Sequence, residues 1–141
     1  MKTNTFRCLA LCLALFLSFS IQAQTEEEAV RARAMDYIEA TSVGQPDRLR
    51  AAFHEGAALY GVNEDGSLRV IPIATYIGYF PEGRKTDRKG KIISVDVVNN
   101  AANVKIEITS GPYLFTDYLL LLKLKEGWKI IQKSYTRVRV G

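Results

Sequence analysis

Two hydrophobic patterns divide the chain: apolar residues at helical spacing come first, and apolar residues alternating with polar ones follow. Intervals of three and four predict a helix over Glu26–Ser42, which Gly44 ends. Its predicted buried face consists of Val30, Ala34, Tyr37, Ile38 and Thr41. Pro46 begins a second short helix that runs to about Phe53, and Pro72–Phe80 forms a third helical segment.

Period-two alternation and short apolar runs between turn residues predict the strands. They are Ala58–Val62, Leu68–Ile71, Lys91–Val98, Ala102–Thr109 and the two halves of Phe115–Arg137. Helices followed by consecutive strands predict an α+β fold, with the helices packed on one face of a curved antiparallel sheet.

The last segment, Phe115–Arg137, predicts a hairpin whose two-residue turn is Glu126–Gly127. That turn would place Asp117 opposite Thr136 and divide the hairpin into two faces. One face holds Phe115, Asp117, Leu119, Leu121, Lys123, Lys125, Trp128, Ile130, Gln132, Ser134 and Thr136. The other holds Tyr118, Leu120, Leu122, Leu124, Lys129, Ile131, Lys133, Tyr135 and Arg137. Both faces are apolar at residues 119–122, so we expect one to meet the helices and the other to be covered as well.

Residues 1–23 have the pattern of a signal peptide. Lys2 and Arg7 precede an apolar run of the usual length, and small residues then predict cleavage after Ala23. The run is too short to span a membrane. Cys8 and Cys12 lie inside it without the small preceding residue of a lipoprotein signal, so we expect an exported protein without a stable membrane anchor, periplasmic or extracellular, and bacterial.

Composition limits the function classes. The 19 Lys and Arg residues include Lys2 and Arg7, so the predicted mature domain, 24–141, carries 17 basic residues against 15 acidic ones. This near balance does not predict a nucleic-acid partner. The mature chain has no cysteine and a single histidine, His54, which cannot by itself make a zinc site. The sequence therefore predicts no metal and no cofactor. We interpret His54 as a helix-terminal residue, and the basic run from Arg84 to Lys91 as a solvated loop rather than a rim that attracts anionic ligands or lipid headgroups.

Three stretches resemble a known superfamily: DYIEATSVGQPDRLRAAFHEGA (36–57), NNAANVKIEI (99–108) and TDYLLLLKLKEGWKIIQKSY (116–135). They are similar to the nuclear transport factor 2-like superfamily, the cone-shaped, cystatin-like fold of ketosteroid isomerase. Within it, the chain most resembles the lumazine-binding family of small bacterial proteins. The resemblance implies one domain with helices on a strongly curved sheet, an internal conical pocket, and pairing of two copies through their sheets.

The face that carries Trp128 and Ile130 is the candidate pocket floor, because it combines apolar residues with a few polar groups. The predicted ligand-site residues are Tyr37, Tyr60, Asp117, Trp128, Gln132 and Ser134. The first hypothesis is thus an exported protein that binds a small, partly aromatic molecule without catalysis.

Two alternatives stay open. Asp117 in an apolar cone would have a raised pKa and could act as a proton shuttle, with Tyr37 or Tyr60 as hydrogen-bond donor, in an isomerase- or dehydratase-like enzyme. The resemblance implies such a carboxylate beside a tyrosine, but no position matches the superfamily's constellation closely enough to transfer a catalytic role, and a structural Asp117 is the simpler interpretation. The third hypothesis is an interaction domain that forms a homodimer through the outer face, with Leu120, Leu122, Ile131 and Tyr135 as its contacts.

Overall fold

The computed structural model describes residues 24–140, as three helices and one six-stranded sheet. The helices are α1 (24–43), α2 (Pro46–Ala52) and α3 (Ile73–Ile77). The strands are β1 (Phe53–Val62), β2 (Leu68–Pro72), β3 (Lys89–Val98), β4 (Ala101–Ser110), β5 (Tyr113–Leu124) and β6 (Gly127–Arg139). The predicted signal peptide lies outside the described residues. Within 24–140, no helix is long and apolar enough to cross a membrane.

Helix α1 buries the face that its spacing predicts. Val30, Ala34, Tyr37 and Thr41 are fully buried, and the first three belong to one hydrophobic core with the inner side of the sheet. Gly44 follows the helix in a left-handed conformation (φ +69°), and its N–H donates to the Ala40 carbonyl. A residue without a Cβ adopts this conformation at no steric cost, so the glycine ends α1 as predicted.

The sheet runs in the order β2-β1-β6-β5-β4-β3. Its inner face is apolar and buried: Ala102, Val104, Ile106, Ile108, Leu119, Leu121 and Ile130. The prediction of an α+β fold with helices on a sheet is confirmed. The prediction of a wholly antiparallel sheet is wrong in one place, because β1 pairs with β6 in parallel. The intervening chain crosses from one end of the sheet to the other, which returns β6 beside β1 in the same direction.

Element boundaries differ from the predictions by a few residues. Strand β1 already begins at Phe53, whose backbone is extended (φ −95°, ψ 151°) and which lies opposite Ile130 of β6. Helix α3 is a short turn of five residues rather than the whole of Pro72–Phe80.

The register of the β5–β6 hairpin differs from the prediction. Leu124 lies opposite Gly127, so the turn residues are Lys125 and Glu126. Gly127, predicted in the turn, is the first residue of β6 and has a φ of +107°, a backbone conformation that favours glycine. Trp128 therefore faces Lys123 rather than Lys125.

A β-bulge shifts the register again. Leu121 lies opposite Ile130, but Leu120 lies opposite Gln132, which leaves Ile131 as an extra residue. Beyond the bulge, Lys133 is opposite Leu119 and Tyr135 is opposite Asp117. Residues directly opposite each other share a face. Lys133 and Tyr135 therefore lie on the inner face, where Leu119 and Asp117 are buried, and the prediction that put them outside is wrong.

Candidate functional site

Four polar side chains meet beneath the helices in an otherwise apolar core. The Lys133 Nζ atom is 3.1 Å from Asp117 Oδ2 and 2.9 Å from the Tyr37 hydroxyl. The Tyr37 hydroxyl donates to Asp117 Oδ2 at 2.8 Å, and the Tyr76 hydroxyl is 3.1 Å from that of Tyr37. Asp117 is 0% exposed and Lys133 3%. We call Tyr37, Tyr76, Asp117 and Lys133 the polar cluster.

Each member of the polar cluster comes from a different element, and local structure explains its place. Tyr37 belongs to the buried face of α1, and Tyr76 to the buried side of α3. Asp117 alternates with Leu119 and Leu121 along the inner face of β5. Lys133 reaches the cluster because the bulge in β6 turns it inward.

The hydrogen-bond directions within the cluster follow from its donors. Burial, followed by the Asp117 carboxylate, raises the pKa of Tyr37 well above its ordinary value, so its hydroxyl keeps its proton. That single proton goes to Asp117, and the Tyr37 oxygen then accepts from Lys133 and from Tyr76. Within the part of the chain described, Asp117 Oδ1 has no hydrogen-bond partner.

Three aromatic rings surround the Lys133 ammonium. It lies 5.3 Å from the ring centre of Tyr37, 5.0 Å from that of Tyr76 and 4.9 Å from that of Tyr135. The faces of such rings attract cations, which supports a charged ammonium in a site almost without solvent. Gly61 makes room for one of these rings, since a Cβ there would lie 2.8 Å from Cζ of Tyr135.

A cavity of about 590 Å³ adjoins the polar cluster. Its lining residues are Leu59, Val62, Asn63, Glu64, Arg69, Ile71, Tyr76, Tyr79, Phe80, Arg88, Phe115, Lys133, Tyr135, Thr136 and Arg137. Lys133 and Tyr76 are the two cluster members in that lining. Tyr37 and Asp117 are fully buried behind them and orient them rather than face the cavity.

Arg88 supplies a second cation to the cavity wall. Its guanidinium lies 5.5 Å from the ring centre of Phe80 and 5.6 Å from that of Phe115, and its Nε donates to Thr41 Oγ1 at 3.2 Å. Burial is the largest influence on the pKa of Arg88 and lowers it, but Tyr76, Tyr37 and Asp117 together outweigh burial and raise the pKa above its ordinary value. Arg88 is therefore a cation at every physiological pH.

The structure brings together only some of the predicted site residues. Tyr37 and Asp117 meet, as hypothesised. Trp128 is on the inner face, but its indole N–H donates to Glu26 Oε2 at 2.8 Å and the residue lies outside the cavity lining.

The other three predicted site residues lie on the outer face. Tyr60 pairs with Ser134 across β1 and β6, and the Gln132 amide donates to the Ser134 hydroxyl at 3.2 Å. For Gln132 and Ser134 the one-residue bulge is the physical reason, since it reverses the face of every β6 residue after Ile131. Tyr60 faces outward because it alternates with the buried Leu59 along β1.

Sequence reasoning missed Lys133, Tyr76, Arg88 and Tyr135. Tyr76 carried a usable signal, because it lies among apolar residues in the predicted helical segment Pro72–Phe80, and a buried tyrosine needs a partner for its hydroxyl. Arg88 was hidden in a basic run interpreted as solvated, and the side chains of Lys133 and Tyr135 were assigned to the wrong face. His54 lies in β1 rather than at a helix end, and its Nδ1 accepts from the Gly56 N–H at 3.0 Å.

Among residues 24–140, no group of three or more His, Cys, Asp or Glu side chains is arranged to hold a metal ion.

Comparison with known families and structures agrees with this fold. Residues 25–136 match the family described as "Putative lumazine-binding". The chain is 25% identical over 114 residues to the protein named aldolase FrzH from Cladobotryum sp., a match that covers 79% of this chain and 90% of that protein.

Solved structures with the same architecture include two nuclear transport factor 2-like proteins. One, from Shewanella baltica, is 26% identical with a TM-score of 0.73 and covers 81% of this chain and 94% of its own. The other, from Silicibacter pomeroyi, is 24% identical with a TM-score of 0.73 and covers 82% of this chain and 98% of its own.

Proposed function

The chain belongs to the lumazine-binding family of the nuclear transport factor 2-like fold, and we propose that it binds a small, partly aromatic molecule in the cavity beside Lys133. The observation that carries the proposal is the cavity itself, with aromatic walls and two oriented polar groups at one end. Its volume of about 590 Å³ is in the range of small-molecule sites.

The wall residues indicate how a ligand would be held. Tyr79, Phe80, Phe115 and Tyr135 offer ring faces against which a planar molecule can stack. Lys133 has one N–H donor left beyond those that point to Asp117 and Tyr37, and the Tyr76 oxygen can accept a hydrogen bond. The buried Asp117 and Tyr37 hold these two groups in place. A planar molecule with a carbonyl or similar oxygen at one end fits both features.

Native mass spectrometry of the protein purified from its own host tests the proposal. We expect a bound species of a few hundred daltons that dissociates on collisional activation. The matched variants are Ile71→Trp, which fills the cavity, and Leu68→Trp, which adds the same side chain at an exposed position on the same strand. We expect Ile71→Trp to lose the bound mass and Leu68→Trp to keep it; a bound mass in both would place the ligand elsewhere.

Export is part of the proposal and rests on the predicted signal peptide. The expected result is a periplasmic or secreted chain whose first residue is Gln24, read by N-terminal sequencing. An intact N-terminus on a protein recovered from the cytoplasm would contradict it.

A second candidate function is enzymatic, and the 2.8 Å hydrogen bond between Tyr37 and Asp117 favours it. Proton transfer beside a carbonyl uses a base together with donors that bind the developing enolate oxygen. Lys133 is placed to donate, while Asp117 lies behind Lys133 and Tyr76 and does not itself line the cavity. The relative named an aldolase is relevant here, because an aldol reaction also begins with removal of a proton beside a carbonyl.

Proton exchange separates the two functions. In D₂O, an enzyme would exchange the α-protons of 2-indanone faster than buffer does, and Asp117→Asn would remove the acceleration; NMR integrates the loss of signal. Exchange at the buffer rate, with 2-indanone bound, would contradict the enzymatic candidate and leave the binding function intact.

A further inference from the structure

The charges around the cavity point to the class of its ligand. Resting on the proposed function, we infer that the cavity takes an aromatic carboxylate, whose anionic group binds Arg88 and whose ring lies among the aromatic walls.

The cavity lining is strongly cationic. It contains Arg69, Arg88, Lys133 and Arg137 against the single carboxylate of Glu64, and the one carboxylate behind the wall, Asp117, pairs with Lys133. The cavity and the wall behind it therefore hold two more cations than carboxylates. The near balance of acidic and basic residues in the mature chain makes this local excess a property of the site. Clefts lined by one sign of charge concentrate ligands of the opposite sign.

Arg88 is held in the orientation that an anion needs. The Thr41 hydroxyl donates to the Ile38 carbonyl at 2.9 Å, so it can only accept from Arg88 Nε. Phe80 and Phe115 lie beside the guanidinium and restrict its rotation. Four of the five guanidinium N–H donors are on the terminal nitrogens, which form the fork that matches a carboxylate.

The Arg88 guanidinium is not neutralised by a salt bridge. Among the ion pairs of residues 24–140, Asp117 pairs with Lys133, Glu107 with Lys91, and Asp87, next to Arg88 in sequence, accepts from Ser110 and Gly111. Removing a half-buried cation such as Arg88 from water costs free energy, and a ligand that supplies a carboxylate would offset that cost. The aromatic neighbours and a bound carboxylate would together compensate for that loss of hydration.

The test compares two probes of nearly the same shape, the anion 2-naphthoate and the neutral 2-naphthamide. Isothermal titration calorimetry on the mature protein should show 2-naphthoate binding about tenfold or more tightly than the amide, because an ionised acceptor strengthens a hydrogen bond to arginine. Arg88→Gln should reduce the ratio of the two affinities to near one. Arg88→Lys should keep part of the preference for the acid. Arg84→Gln, on the same loop but outside the cavity lining, should keep the whole preference.

The possible outcomes distinguish this inference from the binding function on which it rests. Equal binding of acid and amide by the wild-type protein would overturn the inference and leave the binding function standing. Binding of neither probe would also overturn the inference, whereas the binding function is overturned only if native mass spectrometry finds no retained mass. An acid preference that survives in Arg88→Gln, with circular dichroism showing a folded variant, would assign the anion to another cation and overturn the role of Arg88.

Discussion

At the scale of single residues, the ion pair between Lys133 and Asp117 is the least expected feature of the core. Removing two charges from water costs several kcal/mol each, and one ion-pair contact does not repay this. The Tyr37 hydroxyl, bonded to both groups, and the three rings around the ammonium supply the additional compensation. A pair that needs so much support is easier to explain by the chemistry of the cavity than by stability.

Removing one partner of this pair should be far more harmful than removing both. Lys133→Met leaves the Asp117 charge buried, and we expect a loss of about 3–5 kcal/mol in the free energy of unfolding. The double variant Lys133→Met with Asp117→Leu should recover most of it. Lys123→Met, which breaks the exposed pair with Glu26, should cost under about 1 kcal/mol. Urea unfolding measures all three; equal losses in the single and double variants would contradict the argument.

The protonated Tyr37 hydroxyl predicts how stability changes with pH. The pKa of Tyr37 is raised in the folded state, while the unfolded tyrosine ionises near pH 10. The contribution of its hydroxyl to the free energy of unfolding is therefore complete below about pH 10 and is lost as the pH rises above that value. One proton corresponds to a slope of about 1.4 kcal/mol per pH unit.

We therefore expect Tyr37→Phe to lose this slope between about pH 10 and 11.5, relative to wild type, in urea unfolding followed by circular dichroism. Tyr118→Phe, at an exposed position, should keep the wild-type slope. Parallel curves for wild type and Tyr37→Phe would show that the Tyr37 hydroxyl ionises as readily in the folded protein as in the unfolded chain.

Residue-level prediction succeeded where burial followed periodicity and failed where a hydrogen-bond partner decided the position. Asp117 and Tyr37 were found because each lies on a face that its own element defines. Lys133 could not be found, because nothing near it in sequence distinguishes a lysine that pairs with a buried carboxylate from one that faces water.

At the scale of elements, the chain after α3 is held against the end of α1 by backbone hydrogen bonds. The Gly83 N–H donates to the Gly44 carbonyl at 2.8 Å, and the Thr86 N–H to the Ser42 carbonyl at 2.9 Å. These hydrogen bonds fix the path of the main chain that leads to Arg88. The loop was interpreted as solvated from its composition, which carries no information about its main-chain partners.

Gly44 is the residue that permits this docking. A Cβ there would lie 2.5 to 2.7 Å from backbone atoms of Pro81 and Arg84, in addition to the cost of a positive φ. We expect Gly44→Ala to reduce the free energy of unfolding by about 2 kcal/mol or more and to weaken 2-naphthoate binding by displacing Arg88. Gly66→Ala has a similar φ with nothing within 4 Å, so it should lose only about 1 kcal/mol and bind normally. Similar losses of unfolding free energy in both variants would rule out a steric contribution from the contacts with Pro81 and Arg84.

Most elements were predictable because hydrophobic period and turn residues agree over their length. The β5–β6 hairpin shows where this agreement is not enough to predict the structure. Its strands and its Trp128 face were predicted, yet the turn lies one residue earlier than expected and Ile131 forms a bulge. The earlier turn moves each β6 residue by two partners along β5 and keeps its face, whereas the bulge shifts the pairing by one residue and reverses the face. The sequence of β6, with apolar and basic residues on both faces, is compatible with either face.

At the scale of the whole molecule, β5 and β6 lie in the middle of the sheet, so their outer face is central rather than at an edge. Leu120 and Leu122 are half-buried on that face, and Tyr118 beside them is 54% exposed. Ile131, the unpaired residue of the bulge, is half-buried as well. Tyr135, which was predicted to share this outer face, lines the cavity instead. The corrected candidate pairing surface is therefore Tyr118, Leu120, Leu122 and Ile131.

Pairing of two copies through this surface stays a prediction, and its reason is the run of half-exposed apolar side chains on the central strand β5, beside the polar Gln132 and Ser134 of β6. We expect the mature protein to elute as a dimer in size-exclusion chromatography with light scattering at micromolar concentration. The variant Leu120→Lys with Ile131→Lys should elute as a folded monomer, because two buried ammonium groups per copy would meet their symmetry mates. Leu68→Lys, at an exposed apolar residue on β2, should remain dimeric. A wild-type monomer would contradict the pairing but not the cavity, since every residue named in its wall comes from a single chain.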